Sequence, residues 1–260
     1  YPQREYPYSL LVEENARRSR SDPPFNLIDT GVFGENRYWD VEADYAKESP
    51  DEIHIRIIIS NRGPESATLH ILPTLWFRNT WSWGKTEGAR PVIKAMNISK
   101  GTSWGVEAEH PTLGRYYLYG RRKAIPLYTE NESNFQRLWN QPNPMPYLKD
   151  AFHRCVVNGD KDAVNPDQKG SKFAAWHTYT VASGGQEVIE MVLSARQSPF
   201  DKTAATFSSR GSEAEEFYND LLPGAGEDDR LIIRQAAAGM IWSKQFYNYD
   251  LSRWLDGDML

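Results

Sequence analysis

The 260-residue chain has little cysteine, no long apolar run and no excess of positive charge. Its single cysteine, Cys155, excludes an internal disulfide framework and is typical of a reducing compartment, so we expect a cytoplasmic protein. The longest apolar runs, at residues 57–59 and 231–233, are far too short to cross a bilayer, and we expect no membrane partner. The formal net charge of −5 argues against a nucleic-acid partner, because binding to phosphates needs a concentrated basic surface.

The chain also lacks the common sequence motifs of metal and cofactor sites. Its histidines are scattered, although His54 and His70 lie in two predicted strands of one hairpin and could pair across it. Residues 160–171 partly match a calcium loop, but Asn165 replaces the required glycine and Ser171 the required glutamate. The sequence shows no glycine-rich phosphate loop and no nucleophile elbow. We therefore expect neither a metal nor a cofactor.

Aromatic residues are abundant, at 13% of the chain, and they allow a substantial buried core. Residues 37–45 alternate between an apolar set, which includes Trp39 and Tyr45, and an acidic set, which includes Asp40 and Glu42. This period of two predicts a strand with one buried face and one solvated face.

Two pairs of strand-like segments are joined by short polar turns. Residues 53–60 and 67–77 flank a turn at 61–64, and we expect them to form an antiparallel hairpin. Residues 173–181 and 186–195 flank a Ser-Gly-Gly turn and predict a second hairpin. Further strands are predicted at residues 91–96, 103–108, 115–119 and 124–128, and one short helix is predicted near residues 147–156.

The C-terminal part of the sequence changes to helical spacing. Ser212 and Glu215 match a capping box, and the acidic residues at 227–229 suit the first turn of a longer helix. Strands followed by helices predict an antiparallel β-sandwich over residues 1–210 and the start of an α-helical region over residues 211–260.

The densest aromatic cluster lies at residues 75–84. In an extended conformation Trp81 and Trp83 project to the same side, where flat indole faces suit the C–H groups of a sugar. Arg78 and Asn79 could hydrogen-bond sugar hydroxyl groups. The alternative is that these tryptophans fill a core or a domain interface.

A second aromatic cluster lies at residues 241–250, where we expect the helix to continue. On that helix Trp242 and Tyr249 would share one face. Trp242, Lys244 and Tyr247 are candidates for substrate binding or for a domain interface at the helix end. The alternative is ordinary packing with a solvated polar face.

Much of the chain, from about residue 6 to residue 258, resembles the N-terminal region of large glucosidase-like proteins related to glycoside hydrolase family 63. The resemblance is carried by residues 27–33 (LIDTGVF), 37–41 (RYWDV), 61–64 (NRGP), 72–84 (LPTLWFRNTWSWG), 239–250 and 254–258 (WLDGD).

The resemblance implies a super-β-sandwich, similar to the galactose-mutarotase-like fold, packed on a C-terminal α/α toroid. In such inverting enzymes the toroid holds an acid and a base about 6.5–9.5 Å apart. No segment of this chain matches their acid and base motifs, so we assign no catalytic residue and expect the chain alone to be inactive. The implied partners are a catalytic domain beyond residue 260 and an oligosaccharide or glucoside substrate.

The ends of the chain fit this interpretation, because it begins without Met and stops just after an aromatic-rich segment. We therefore expect exposed apolar side chains, rich in Trp and Tyr, where the toroid would meet this chain. Residues 78–83 would edge the sugar site, and residues 242–249 would line the linker side. The alternatives are an independent carbohydrate-binding module, a mutarotase-like sugar epimerase, which needs a histidine and a carboxylate facing one groove, and a purely structural domain.

Overall fold

A computed structural model describes residues 1–81, 90–98, 101–197, 200–244 and 249–257. Within these residues the chain is mainly antiparallel β structure with a few helices, as the sequence predicts. The strands are β1 (Trp39–Ser49), β2 (Glu52–Asn61), β3 (Ala67–Ile71), β4 (Thr74–Trp76), β5 (Val92–Ala95), β6 (Trp104–His110), β7 (Gly114–Gly120), β8 (Ile125–Thr129), β9 (Lys169–Gly170), β10 (Lys172–Val181) and β11 (Gln186–Ser194). The helices are α1 (Tyr8–Ala16), α2 (Phe135–Trp139), α3 (Ala151–Asn158), α4 (Thr203–Leu221), α5 (Glu227–Ser243) and α6 (Leu251–Asp256).

The strands form two sheets that share one core. A seven-stranded sheet has the order β1-β2-β11-β7-β6-β5-β9, and in a four-stranded sheet β10 pairs with β3, β4 and β8. Each sheet contributes buried apolar side chains to the same cluster, so the two sheets face each other. The buried residues of this core are Trp39, Ile59, Ile93, Trp104, Val106, Ala108, Leu118, Ile189 and Met191 from the larger sheet and Tyr128, Phe173, Ala175 and Val181 from the smaller one.

Both predicted hairpins are wrong, because each short turn carries the chain from one sheet to the other. β2 pairs with β1 and β11, whereas β3 pairs with β10. Likewise β10 and β11 belong to different sheets. Alternating apolar residues show that a strand buries one face, but they do not say which of two facing sheets it joins.

Asn61 ties the two turns together and is fully buried. Its Nδ2 donates hydrogen bonds of 2.8 Å to the carbonyl oxygens of Glu65 and Val181, and its Oδ1 accepts from the Gly63 amide at 2.8 Å. Its own backbone pairs with the second turn, because its amide donates to the Gly185 carbonyl and its carbonyl accepts from Gly184. One buried amide side chain therefore satisfies polar groups of both sheet-crossing turns.

The predicted alternation in β1 holds over its first half only. Trp39 is buried while Asp40 and Glu42 are exposed, as expected. Tyr45, however, is 61% exposed and Ala46 is buried. The outer face is covered at this point, because His54, which pairs with Ala46, is hydrogen-bonded to Thr203 at the start of α4.

The predicted strand at 67–77 is likewise interrupted. It is split between Ile71 and Thr74, where Pro73 has no amide hydrogen to donate to a ladder.

The helices agree with the sequence in part. α3 begins at Ala151, inside the predicted segment, and α5 begins at Glu227 with three acidic residues in its first turn. The capping box is wrong, because Ser212 lies inside α4 and its hydroxyl donates to the Ser208 carbonyl. The predicted continuation of α5 is also wrong, since the helix ends at Ser243 and Lys244 is extended.

The chain forms two compact units, Tyr1–Thr206 and Phe207–Leu260. We refer to them as the sandwich unit and the helical unit. The domain boundary between residues 210 and 211 stays a prediction. Among the residues that the structure describes, no helix is long and apolar enough to span a membrane.

Candidate functional site

The predicted sugar-facing segment is attached to a buried carboxylate, Glu132. The indole nitrogen of Trp81 donates to Glu132 Oε1 at 2.6 Å, and Asn79 Nδ2 donates to Oε2 at 2.8 Å. Glu132 is only 7% exposed, so both hydrogen bonds are sheltered from water. Charge-assisted hydrogen bonds of this kind are stronger than neutral ones and fix the orientation of the indole ring.

Arg90 joins this carboxylate to a second one. Its Nη2 lies 3.1 Å from Glu132 Oε1 and 3.3 Å from Glu130 Oε2. The guanidinium carbon lies 5.0 Å from the centroid of the Trp81 ring, which is cation–π geometry. The indole is therefore held both at its N–H, by Glu132, and on its ring, by Arg90.

Further hydrogen bonds, most of them to the backbone, hold the side chains around Glu132 and Glu130 in place. Asn79 Nδ2 also donates to the Asn131 carbonyl at 3.0 Å, and Asn131 Nδ2 donates to the Phe77 carbonyl at 2.9 Å. Glu130 Oε2 accepts from the amide of Ser171 at 3.1 Å and from its hydroxyl at 2.5 Å. We call Asn79, Trp81, Arg90, Glu130, Glu132 and Ser171 the carboxylate cluster.

The hydrogen bonds of the cluster decide what its carboxylates can do. Glu132 and Glu130 each accept from several N–H or O–H donors and share the positive charge of Arg90. Because oxygens of both carboxylates already accept hydrogen bonds from groups of the protein, the geometry gives these carboxylates a positioning role. The cluster therefore positions Trp81, and we assign it no proton-transfer role.

A cleft of about 580 Å³ is lined in part by Arg90. The ends of β5, β6 and β7 supply the rest of its wall. The lining residues include Arg90, Val92, Glu109, His110, Gly114 and Arg115.

His110 has a fixed orientation in this cleft. Its Nδ1 accepts from the backbone amides of Thr112, at 3.2 Å, and Leu113, at 3.3 Å. Its ring centroid lies 5.3 Å from that of Phe77, which follows β4 of the smaller sheet. In the neutral imidazole the proton then sits on Nε2, which makes that atom a donor.

Arg115, which also lines the cleft, is paired with carboxylates. Its Nε lies 3.4 Å from Glu107 Oε1, and its Nη2 lies 3.7 Å from Glu109 Oε1. A hydrogen bond with Tyr117, together with the charges of Glu107 and Glu109, raises the pKa of Arg115 above its ordinary value. Both arginines that line the cleft are thus paired with carboxylates.

The structure brings two of the predicted site residues together. Asn79 and Trp81 meet on Glu132, while Arg78 is exposed beside them. Trp242, which is 80% exposed, and exposed Lys244 belong to the helical unit. The remaining two candidates, Trp83 and Tyr247, lie outside the described residues.

The predicted pairing of His54 and His70 is wrong. His54 lies in the larger sheet and is fully buried, with Nδ1 2.9 Å from Thr203 Oγ1 and Nε2 3.0 Å from Glu52 Oε1. His70 lies in the smaller sheet, where its Nδ1 accepts from the indole N–H of Trp176 at 3.0 Å. Their strands are neighbours in sequence only.

Sequence reasoning missed three central residues of the site, Arg90, Glu130 and Glu132. A weak signal is present, because Glu130 and Glu132 follow β8 at a spacing of two, which places two carboxylates on one side of an extended chain. No local pattern connects them to Trp81, which is about 50 residues away in the sequence.

The chain is similar to the uncharacterized protein YMR196W of Saccharomyces cerevisiae. The two are 32% identical over an alignment that is 302 positions long. This alignment covers 99% of this chain and 28% of the yeast protein. The chain therefore spans less than a third of the length of this curated relative. A comparison with models of known protein families gives no match.

Proposed function

We propose that this chain is the N-terminal, non-catalytic part of a longer, inverting α-glucosidase-like hydrolase. In this proposal a galactose-mutarotase-like super-β-sandwich packs on an α/α toroid that carries the catalytic acid and base. The observation that carries the proposal is the exposed apolar surface of the helical unit.

The helical unit exposes many large apolar side chains. α5 has no buried residue, yet Met240 is 75% exposed and Trp242 80% exposed. In α6, Trp254 and Leu255 are 65% and 68% exposed. Large exposed apolar areas mark interaction surfaces, so we infer that further helices of the same protein cover these side chains. Other strongly exposed apolar residues of the unit are Phe217, Leu221, Leu231, Ile232, Ile241, Tyr249 and Leu251.

The length of the yeast relative supports the same proposal. Since the match covers 28% of that protein, most of its chain lies outside the aligned region. That is ample for a helical catalytic domain of several hundred residues. The apolar helical unit at the end of this chain would then be the first layer of that domain.

The carboxylate cluster supports a role for the sandwich unit at the edge of the sugar site. It fixes Trp81 at its N–H and on its ring while the residue stays partly exposed. An oriented, partly exposed indole offers an apolar face to sugar C–H groups. The proposed substrate is a glucoside or oligosaccharide, and the proposal includes a cytoplasmic location without nucleic-acid or membrane partners.

The test is steady-state kinetics of the full-length protein on α-glucosides with Trp81→Ala. We expect kcat/KM to fall about tenfold, which corresponds to roughly 1.4 kcal/mol of lost transition-state stabilisation. The matched control is Trp139→Ala, which removes another exposed indole of the sandwich unit. Absence of glucosidase activity in the full-length protein would refute the proposal, and unchanged kinetics with a lowered Tm would reduce Trp81 to a packing role.

The mutarotase alternative has less support. Its histidine and carboxylate must both reach one sugar ring, at hydrogen-bond distances of about 3 Å. The cleft offers His110 and Glu109, but consecutive residues of a strand project to opposite faces. A mutarotation assay of the 260-residue chain with His110→Asn decides the matter, and we expect no activity with either protein.

A further inference from the structure

We infer that the cleft beside Arg90 is a non-catalytic binding site for a neutral saccharide of two or more sugar units. The choice of sugars as the ligand class rests on the proposed function. The site itself belongs to the sandwich unit alone, so binding does not require a catalytic domain.

The dimensions of the cleft suit such a ligand. Its volume of about 580 Å³ falls within the range of about 300–1,000 Å³ typical of small-molecule pockets. Glu109 and His110, which are consecutive residues at the end of β6, both line it. A volume in this range accommodates a ligand larger than a single sugar ring.

The charges of the cleft disfavour an anionic ligand. Arg90 is paired with Glu130 and Glu132, and Arg115 is paired with Glu107 and Glu109. An anion would therefore have to compete with carboxylates that already neutralise each guanidinium. A neutral hydroxyl group can instead donate to a carboxylate oxygen and accept from an N–H of the same pair, because each guanidinium has five donors.

His110 adds a directional donor. Two backbone amides occupy its Nδ1, and the Phe77 ring lies against the imidazole. In the neutral ring the proton is on Nε2, and this N–H is the donor that we assign to a ligand oxygen. Donors that are held in place before binding lose little entropy when the ligand arrives.

Apolar surface completes the site. Val92 is 39% exposed at the cleft, and Pro111 also lines it. Arg90 also lies over the Trp81 ring. The apolar C–H groups of a sugar would lie against Val92 and Pro111 while its hydroxyl groups reach the charged pairs, which is the combination that saccharides offer.

The experiment titrates the ¹⁵N-labelled 260-residue chain with maltose and follows assigned amide resonances. We expect saturable shifts confined to residues around 90–92 and 109–115. His110→Asn retains an acceptor for the turn amides and removes Nε2–H, and it should weaken binding about fivefold, as expected for loss of one hydrogen bond. Glu109→Gln should weaken binding similarly. His153→Asn, at an exposed position on α3, is the matched control and should bind like the parent chain.

Three results would overturn the inference: no saturable shifts, shifts located elsewhere, or equal shifts with inorganic phosphate at the same concentration. Circular dichroism of each variant shows whether it is folded, and Glu109→Gln gives a second test if His110→Asn unfolds the chain. Kinetics of the full-length protein separate this inference from the proposed function. Maltose binding without glucosidase activity would remove the proposed function only, and activity without binding by this chain would remove the cleft only.

Discussion

The sandwich unit and the helical unit use apolar residues in opposite ways. In the sandwich unit Ile59, Ile93, Phe173 and Ile189 are all completely buried. In the helical unit most large apolar side chains of α5 are exposed, Ile233 is half-buried, and no residue of this helix is buried. The difference shows that the first unit contains its own hydrophobic core, whereas the second presents apolar surface to be covered.

The largest effect should come from a core truncation in the sandwich unit. Phe173→Ala removes a ring that contacts Trp104 and Tyr128 at centroid distances of 5.5 and 5.2 Å. We expect a loss of about 3–5 kcal/mol in the free energy of unfolding, measured by urea denaturation. Ile232→Ala in α5, where the side chain is 57% exposed, should change it by less than about 0.5 kcal/mol.

Equal losses of unfolding free energy in these two variants would contradict the proposed difference between the two units. If Phe173→Ala does not fold, Phe173→Leu supplies the comparison, with an expected cost of about 1–1.5 kcal/mol.

A smaller effect should separate the carboxylate cluster from the exposed ion pairs. Glu132→Ala deprives Asn79, Trp81 and Arg90 of their shared acceptor, and we expect a loss of about 2 kcal/mol by urea denaturation. Glu65→Ala, at a pair in which the glutamate side chain is 71% exposed, should cost no more than about 0.5 kcal/mol. A loss at Glu132 no greater than at Glu65 would mean that the cluster does not fix Trp81.

The smallest expected effect is a pH dependence confined to the sandwich unit. Burial lowers the pKa of His177 below its ordinary value of 6.5, opposed in part by a hydrogen bond to the backbone of Lys123. Around this pH, His177 is therefore more fully protonated in the unfolded chain than in the folded chain. The contribution to stability is complete above pH 6.5 and declines as the pH falls below it.

Urea denaturation between about pH 5 and pH 7 measures this slope. His177→Phe, which keeps a ring between Trp104 and Tyr179, should flatten it. His153→Phe at an exposed position should leave it unchanged. A slope that survives His177→Phe would assign the pH dependence to another group.

The sequence predicts strands better than it predicts their partners. The sequence located β1, β2 and β6 because the apolar residues that a strand buries are a local property of that strand. The partner of β2 is β11, far away in the sequence, and a short polar turn cannot reveal that the next strand belongs to the opposite sheet. Contacts with a distant segment also explain the burial of Ala46, since Thr203 covers the outer face of the sheet at His54, the partner of Ala46.

The same limit applies to the candidate site. Trp81 and Asn79 were found because they stand in one unusual segment of the sequence. Arg90 and Glu132 were missed, since ordinary charged residues in a loop signal nothing until the fold brings them to an indole ring. Local sequence thus identifies Trp81 as a candidate. Only the tertiary structure identifies Arg90 and Glu132 as the residues that fix its orientation.

The position of β2 has a consequence for biosynthesis. Its isoleucine-rich segment pairs on one side with β1, at once, but on the other side with β11, so that Ile57 meets Ile189 roughly 130 residues later. At the usual ribosomal speed of about 5–20 residues per second, this open edge waits roughly ten seconds for its partner. A strand of high β-propensity with an unpaired edge is prone to aggregate, so we expect β2 of the nascent chain to be vulnerable to aggregation until residue 194 has been synthesised.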